Sequence, residues 1–126
     1  MNILILEDNP ERQKVFMKEL SRNYQITIVD TVELAKTLVE EAEKNQDQFH
    51  VIFIDHDLGG EVYVDSKEEN TGYQFAVWLA ENEIEAQFIT HSLNLVGAGN
   101  IIAALPECDH VPFTLLKPLL EKGLML

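Results

Sequence analysis

A chain of 126 residues that is 46% hydrophobic and 25% charged has the size and balance of one folded domain, here taken as residues 1–126. Nine Lys and Arg against 22 Asp and Glu give a net charge of −13, which excludes the basic track that extended DNA or RNA binding needs. The longest apolar runs, Ile3 to Leu6 and Val51 to Ile54, fall far short of the ~20 residues of a membrane span, and nothing resembles a signal peptide. A single cysteine, Cys108, admits no internal disulfide, so a cytoplasmic setting is expected.

Short apolar runs alternate with longer amphipathic stretches. Ile3 to Leu6 is continuous and β-rich, as in a strand covered on both faces. Asn9-Pro10 offers an N-cap with Pro in the first helical turn, and Val15, Phe16 and Leu20 supply a buried stripe. Ile26 to Val29 is a second strand. Asp30-Thr31-Val32-Glu33 reads as a capping box, followed at helical spacing by Leu34, Leu38, Val39 and Ala42. Val51 to Ile54 is the third strand, and Gly59 to Asn70 a long polar loop.

A helix over about Thr71 to Glu81 is expected to turn Tyr73, Val77 and Ala80 inward. Ala86 to Thr90 is the fourth strand. Ile101, Ile102 and Leu105 form a short helix stopped by Pro106. Val111 to Leu116 reads as the fifth strand, at a sheet edge because Pro112 cannot donate to a ladder. Little chain then remains for a last helix, which Gly123 weakens further. The repeated strand–helix alternation implies an α/β fold, a doubly wound five-stranded parallel sheet with a short or missing last helix.

In such sheets ligands bind beyond the carboxyl ends of the strands. Glu7 and Asp8 follow the first strand; Asp55, His56 and Asp57 follow the third. Thr90, His91, Ser92 and Asn94 stand at the end of the fourth, and Lys117 follows the fifth. Each has an ordinary reading too. Glu7 and Asp8 suit a helix start, Asp-x-Asp-x-Gly suits a turn, and Lys117 suits a solvated surface. Taken jointly, converging carboxylates favour a hard divalent cation such as Mg²⁺, which takes one or two carboxylates and keeps several waters.

The segments ILILED, VIFIDHDLGG, ITHS and LLKP resemble the receiver domain of response regulators over essentially the whole chain. That resemblance implies strand order 2-1-3-4-5 and a Mg²⁺ site of Glu7, Asp8 and Asp55, with Asp57 giving a backbone carbonyl. It makes Asp55 a phosphoryl acceptor and places Thr90 (or Ser92) and Lys117 at the phosphoryl group. The Asp55-His56-Asp57-Leu58-Gly59-Gly60 turn and His91-Ser92-Leu93-Asn94 are most like a distinct branch, the cyclic-phosphate processing receiver domains. For that branch the expected ligand is a cyclic phosphate on a nucleotide or nucleic acid end. His56 and His91 would then be acid and base beside Asp55. Ser92, Asn94, Lys117 and the N–H groups of Gly97 to Gly99 would hold the phosphate. The alternatives are a stand-alone receiver phosphorylated on Asp55, or a catalytically silent module that binds a protein partner.

Overall fold

The computed structural model describes residues 1–60 and 63–123. Five strands form one parallel sheet in the order β2-β1-β3-β4-β5: β1 Asn2–Leu6, β2 Gln25–Val29, β3 Val51–Ile54, β4 Gln87–Thr90 and β5 Asp109–His110. The helices are α1 Pro10–Leu20, α2 Val32–Lys44, α3 Gly72–Glu81, α4 Leu95–Ala104 and α5 Phe113–Glu121. The expected doubly wound α/β architecture and strand order are thus present.

Strand periodicity divides the core. Leu4, Leu6, Ile52 and Ile54 point to one face and pack with α2, α3 and α4 residues such as Val39, Phe75, Leu79 and Ile101. Ile3, Ile5, Val51 and Phe53 point to the other, against Phe16 and Leu20 of α1 and Leu116 and Leu120 of α5. β1 and β3 are buried along both faces, which is why they read as unbroken apolar runs.

The Asn9 side chain caps α1, its Oδ1 accepting from the backbone N–H of Glu11 at 2.9 Å and of Arg12 at 3.2 Å. The cap of α2 is Thr31, accepting from Leu34 N–H at 3.3 Å, and not the Asp30 box expected. Leu34 consequently faces solvent, and Val32, Ala35 and Val39 form the buried stripe. In α3 the buried residues are Gly72, Phe75, Ala76 and Leu79; Tyr73 and Val77 are half-buried and Ala80 is exposed. Phe75 packs in the same core cluster as Leu79 and stacks on Trp78.

The largest difference lies at the end of the chain. β5 is only Asp109–His110, and the expected strand over Val111 to Leu116 is instead an extended pair followed by α5. Pro112 is the N-cap of that helix, its carbonyl accepting from the N–H groups of Leu115 and Leu116. Leu116 and Leu120 are buried one helical turn apart on the inner face of α5, whereas Leu115 is exposed. β5 does lie at the sheet edge.

Candidate functional site

The register of the sheet assembles the site. Leu6 pairs with Ile54, and Ile54 with Thr90, so the next residue on each strand, Glu7, Asp55 and His91, falls side by side. Backbone bonds continue the ladder: Asp55 N–H donates to Leu6 carbonyl at 3.1 Å, and His91 N–H to Ile54 carbonyl at 3.4 Å. Neighbouring parallel strands lie about 4.8 Å apart. One ligand atom each from Glu7, Asp55 and His91 accordingly lie within 4.8 Å of one another, and all three residues are buried.

His91 points away from solvent. Its ring sits among Phe16, Phe53 and Phe113, with centroids 5.1, 6.3 and 6.2 Å away. Nε2 lies 2.9 Å from Glu7 Oε1, whereas the buried Nδ1 meets no partner among the described residues. Nε2 therefore donates to the Glu7 carboxylate, and Nδ1 faces the aromatic rings. Burial raises the pKa of Glu7, but the His91 hydrogen bond and charge, the Asn9 N–H and Arg12 outweigh it and hold the pKa below the ordinary carboxylate value.

Asp55 is displaced the other way. Burial, together with the charge of Glu7, pushes its pKa up to about 9, and Arg12 offsets only part of this. Two adjacent buried carboxyl groups thus share one negative charge unless a cation joins them.

An open crevice of about 380 Å³ lies above this floor, lined by Asp8, Asn9, Arg12, Asp55, Asp57, Gly60, Tyr63, Leu93 and Asn94 together with Pro10. Arg12, in the first turn of α1, carries Nη1 3.7 Å from Glu7 Oε1 and 3.9 Å from Asp55 Oδ2. Its guanidinium lies over the Phe113 ring, 5.4 Å from the centroid. Asp8 and Asp57 stand at the rim, engaged by the long loop after β3: Gly60 N–H donates to Asp8 Oδ2 at 2.6 Å, and Val64 N–H to Asp57 Oδ1 at 2.7 Å. The bonds from His56, Asn94 and Val64 overcome partial burial and keep the Asp57 pKa low.

His56 is buried beside the crevice and does not line it. Its Nδ1 lies 2.9 Å from Asp57 Oδ1 and its Nε2 2.7 Å from Ser66 Oγ, which also accepts from Asn100. Gly97 permits this position: a Cβ there would stand 2.4 Å from His56 Cγ. Gly72 allows a comparable approach of α3 to the chain after β3, since a Cβ would stand 2.0 Å from the Asp55 carbonyl oxygen.

The expected phosphate donors are differently employed. The Thr90 hydroxyl donates to Ile54 carbonyl at 2.7 Å, and Ser92 Oγ accepts from Asn94 N–H at 3.1 Å, both inside the protein. Asn94 lines the crevice, but its Oδ1 caps α4 by accepting from Gly97 N–H at 3.0 Å, and its Nδ2 donates to Asp57 at 3.1 Å. Gly97 N–H is therefore not free for a ligand. Lys117 does not follow a strand: it lies in α5, half-exposed, 4.0 Å from Glu121 one turn on, and is not among the crevice residues. The basic residue in the crevice is Arg12, which sequence patterning did not mark.

The model of the cyclic-phosphate processing receiver domain family matches residues 3–107. The chain belongs to that family. Solved structures with the same fold include the BeF3-activated DrrB receiver domain, at 17% identity and TM-score 0.65, covering 97% of this chain and 92% of that one. The BeF3-activated N-terminal receiver domain of Klebsiella pneumoniae RstA is 12% identical with TM-score 0.64, covering all of both chains. The receiver domain of a LuxO repressor protein from Vibrio parahaemolyticus is 17% identical with TM-score 0.59, covering 97% and 91%. A search of curated proteins found no match.

Receiver domains bind Mg²⁺ through acidic residues, and the donor set of this receiver fits a hard cation in part. Glu7 and Asp55 provide adjacent carboxylate oxygens, with Asp8 and Asp57 at the rim. His91 fits such a cation poorly, because a ligating imidazole normally donates its second N–H, and its Nδ1 has no acceptor among the described residues.

Proposed function

We propose that this receiver domain binds, in the crevice above Asp55, a cyclic phosphate carried by a nucleotide or a nucleic acid end, and opens the ring by hydrolysis. The observation that carries the reading is the charge arrangement: Asp55 at the floor of an open crevice, Glu7 buried beside it, and the Arg12 guanidinium 3.7 Å from Glu7 and 3.9 Å from Asp55. The crevice volume of about 380 Å³ suits a small ligand or a chain end. The family description supports the class of ligand.

Bound at Glu7 and Asp55, Mg²⁺ would offset charge on the phosphoryl oxygens. The protein's own groups divide the remaining work. Arg12 faces the oxygens of the phosphate, and the Asp55 carboxylate at the floor can take the proton of an attacking water and return it to the ring oxygen released as the P–O bond breaks. His91 and His56, assigned above as acid and base, act at one remove: His91 orients Glu7, and His56 orients Asp57. Both are positioning residues in this reading. Ser92, Asn94 and Thr90 likewise shape the crevice wall by internal hydrogen bonds.

The test is incubation with 2′,3′-cyclic AMP and Mg²⁺, resolving the 2′- and 3′-monophosphates by chromatography. Turnover that Glu7→Gln and Asp55→Asn abolish is the expected result. Neither turnover nor binding by the wild-type chain would overturn the reading.

A second reading, phosphoryl transfer to Asp55, is favoured by the placement of its carboxylate at the crevice floor after β3. Against it, the Thr90 hydroxyl is committed to Ile54 and Lys117 is not in the crevice, so the two groups a receiver directs at its phosphoryl oxygens are elsewhere. Acetyl phosphate with Mg²⁺, read by intact mass, separates the two.

A further inference from the structure

We infer that Arg12 is the residue that grips the ligand's phosphate, taking on α1 the part that motif matching gave to Lys117. The inference deepens the reading of the crevice as a phosphate site and rests on it. Four observations carry it. Among the described residues lining the crevice, Arg12 is the one with a basic side chain. Its guanidinium makes no hydrogen bond among the described residues, and its contacts to Glu7 and Asp55, at 3.7 and 3.9 Å, are longer than the roughly 2.7–2.9 Å of a bonded ion pair. Its donor fork is therefore held close to the carboxylates but not consumed by them.

The fork is also braced. The guanidinium lies over Phe113, whose N–H donates to His91 carbonyl at 3.0 Å, so the platform is tied to the end of β4. Stacking of this kind restricts the long side chain before a ligand arrives and favours Arg over Lys. Finally, the chain carries a net charge of −13, so an anion meets a repulsive general field and depends on a local cation. A phosphate oxygen pair facing the open fork would form two charge-assisted hydrogen bonds, which Lys117 on the outer side of α5 does not reach.

The experiment compares wild type, Arg12→Ala, Arg12→Lys and Lys117→Ala by calorimetric titration with inorganic phosphate, with 2′,3′-cyclic AMP and with Mg²⁺ alone. Arg12→Ala is expected to weaken both phosphate probes by about 10- to 100-fold, and Arg12→Lys, which keeps the charge beside Glu7 and Asp55, by a smaller factor. Mg²⁺ alone should bind Arg12→Ala no more weakly than wild type, because a cation has been removed from beside the carboxylates; a collapsed site would lose Mg²⁺ too. Lys117→Ala should match wild type throughout.

Equal phosphate affinity in wild type and both Arg12 variants overturns the inference, as does an equal loss in Lys117→Ala. Arg12-dependent binding of inorganic phosphate without binding of 2′,3′-cyclic AMP upholds the role of Arg12 and sinks the cyclic-phosphate reading. Binding of 2′,3′-cyclic AMP that ignores Arg12 does the reverse.

Discussion

His91 Nε2 meets Glu7 Oε1 at 2.9 Å across 84 residues of sequence, with both side chains fully buried. The contact fixes a carboxylate at the end of β1 by means of an imidazole at the end of β4. Removing one partner of such a pair leaves a buried charge without compensation, which costs about 3–5 kcal/mol. His91→Ala is accordingly expected to lower the urea midpoint far more than Glu7→Gln, whose amide oxygen still accepts from Nε2. Losses that simply add in the double mutant, read by urea denaturation, would show that His91 acts by filling space among Phe16, Phe53 and Phe113 alone.

Asp55 makes stability fall as pH rises. Its folded pKa of about 9 lies above the ordinary value of 3.8, because of burial and the nearby Glu7 charge. The native state therefore holds a proton that the unfolded chain has released. This contribution to stability is complete below the ordinary value and is lost as pH rises through about 9. In EDTA the melting temperature should fall between pH 6 and pH 9, and Asp55→Asn should flatten the profile. At pH 8.5 the variant should be more stable than wild type by on the order of 2 kcal/mol. A profile unchanged by Asp55→Asn would contradict the shift.

How much of this was legible in the sequence differs from element to element. The runs Ile3 to Leu6 and Val51 to Ile54 are buried on both faces, so their composition alone marks central parallel strands and places Glu7 and Asp55 at one edge. Val111 to Leu116 reads as an edge strand despite Pro112 and Thr114, but the buried positions are Leu116 and, beyond that run, Leu120 one helical turn on. That ambiguity misplaced Lys117. Arg12 carries no local signal at all: its meaning comes from the distance to Asp55, which is set by sheet register and not by neighbours in sequence. His56 was marked by chemistry, yet Gly97, read as a phosphate-binding glycine, is what admits its ring to the interior.

Cys108 gives a test independent of the crevice. It is buried at 4% exposure, and desolvation pushes its thiol pKa up to about 12 despite a backbone hydrogen bond in the opposite sense. The thiolate is the reactive form, so at pH 8 the native thiol should be alkylated much more slowly than in urea. Iodoacetamide labelling followed by intact mass checks this. Comparable rates in native and unfolded protein would mean that the segment around Leu105 to Asp109 opens readily.

Two glycines of α4 should respond with opposite sign to the same substitution. At Gly97 an added Cβ would stand 2.4 Å from His56 Cγ, with Nδ1 and Cδ2 nearly as close, whereas at Gly99 none of the described residues lies within 4 Å. The His56 ring cannot retreat without breaking its bonds to Asp57 and Ser66. Gly97→Ala is therefore expected to destabilise by about 1–3 kcal/mol or more through overpacking, and to loosen Asp57 at the crevice rim. Gly99→Ala meets open space inside a helix, where Ala is favoured over Gly by about 0.5–1 kcal/mol, so it should stabilise. Urea midpoints of the two variants decide the matter: a shift of the same sign and size in both would mean that α4 does not lie against His56, and the link from His56 through Asp57 to the crevice would fall with it.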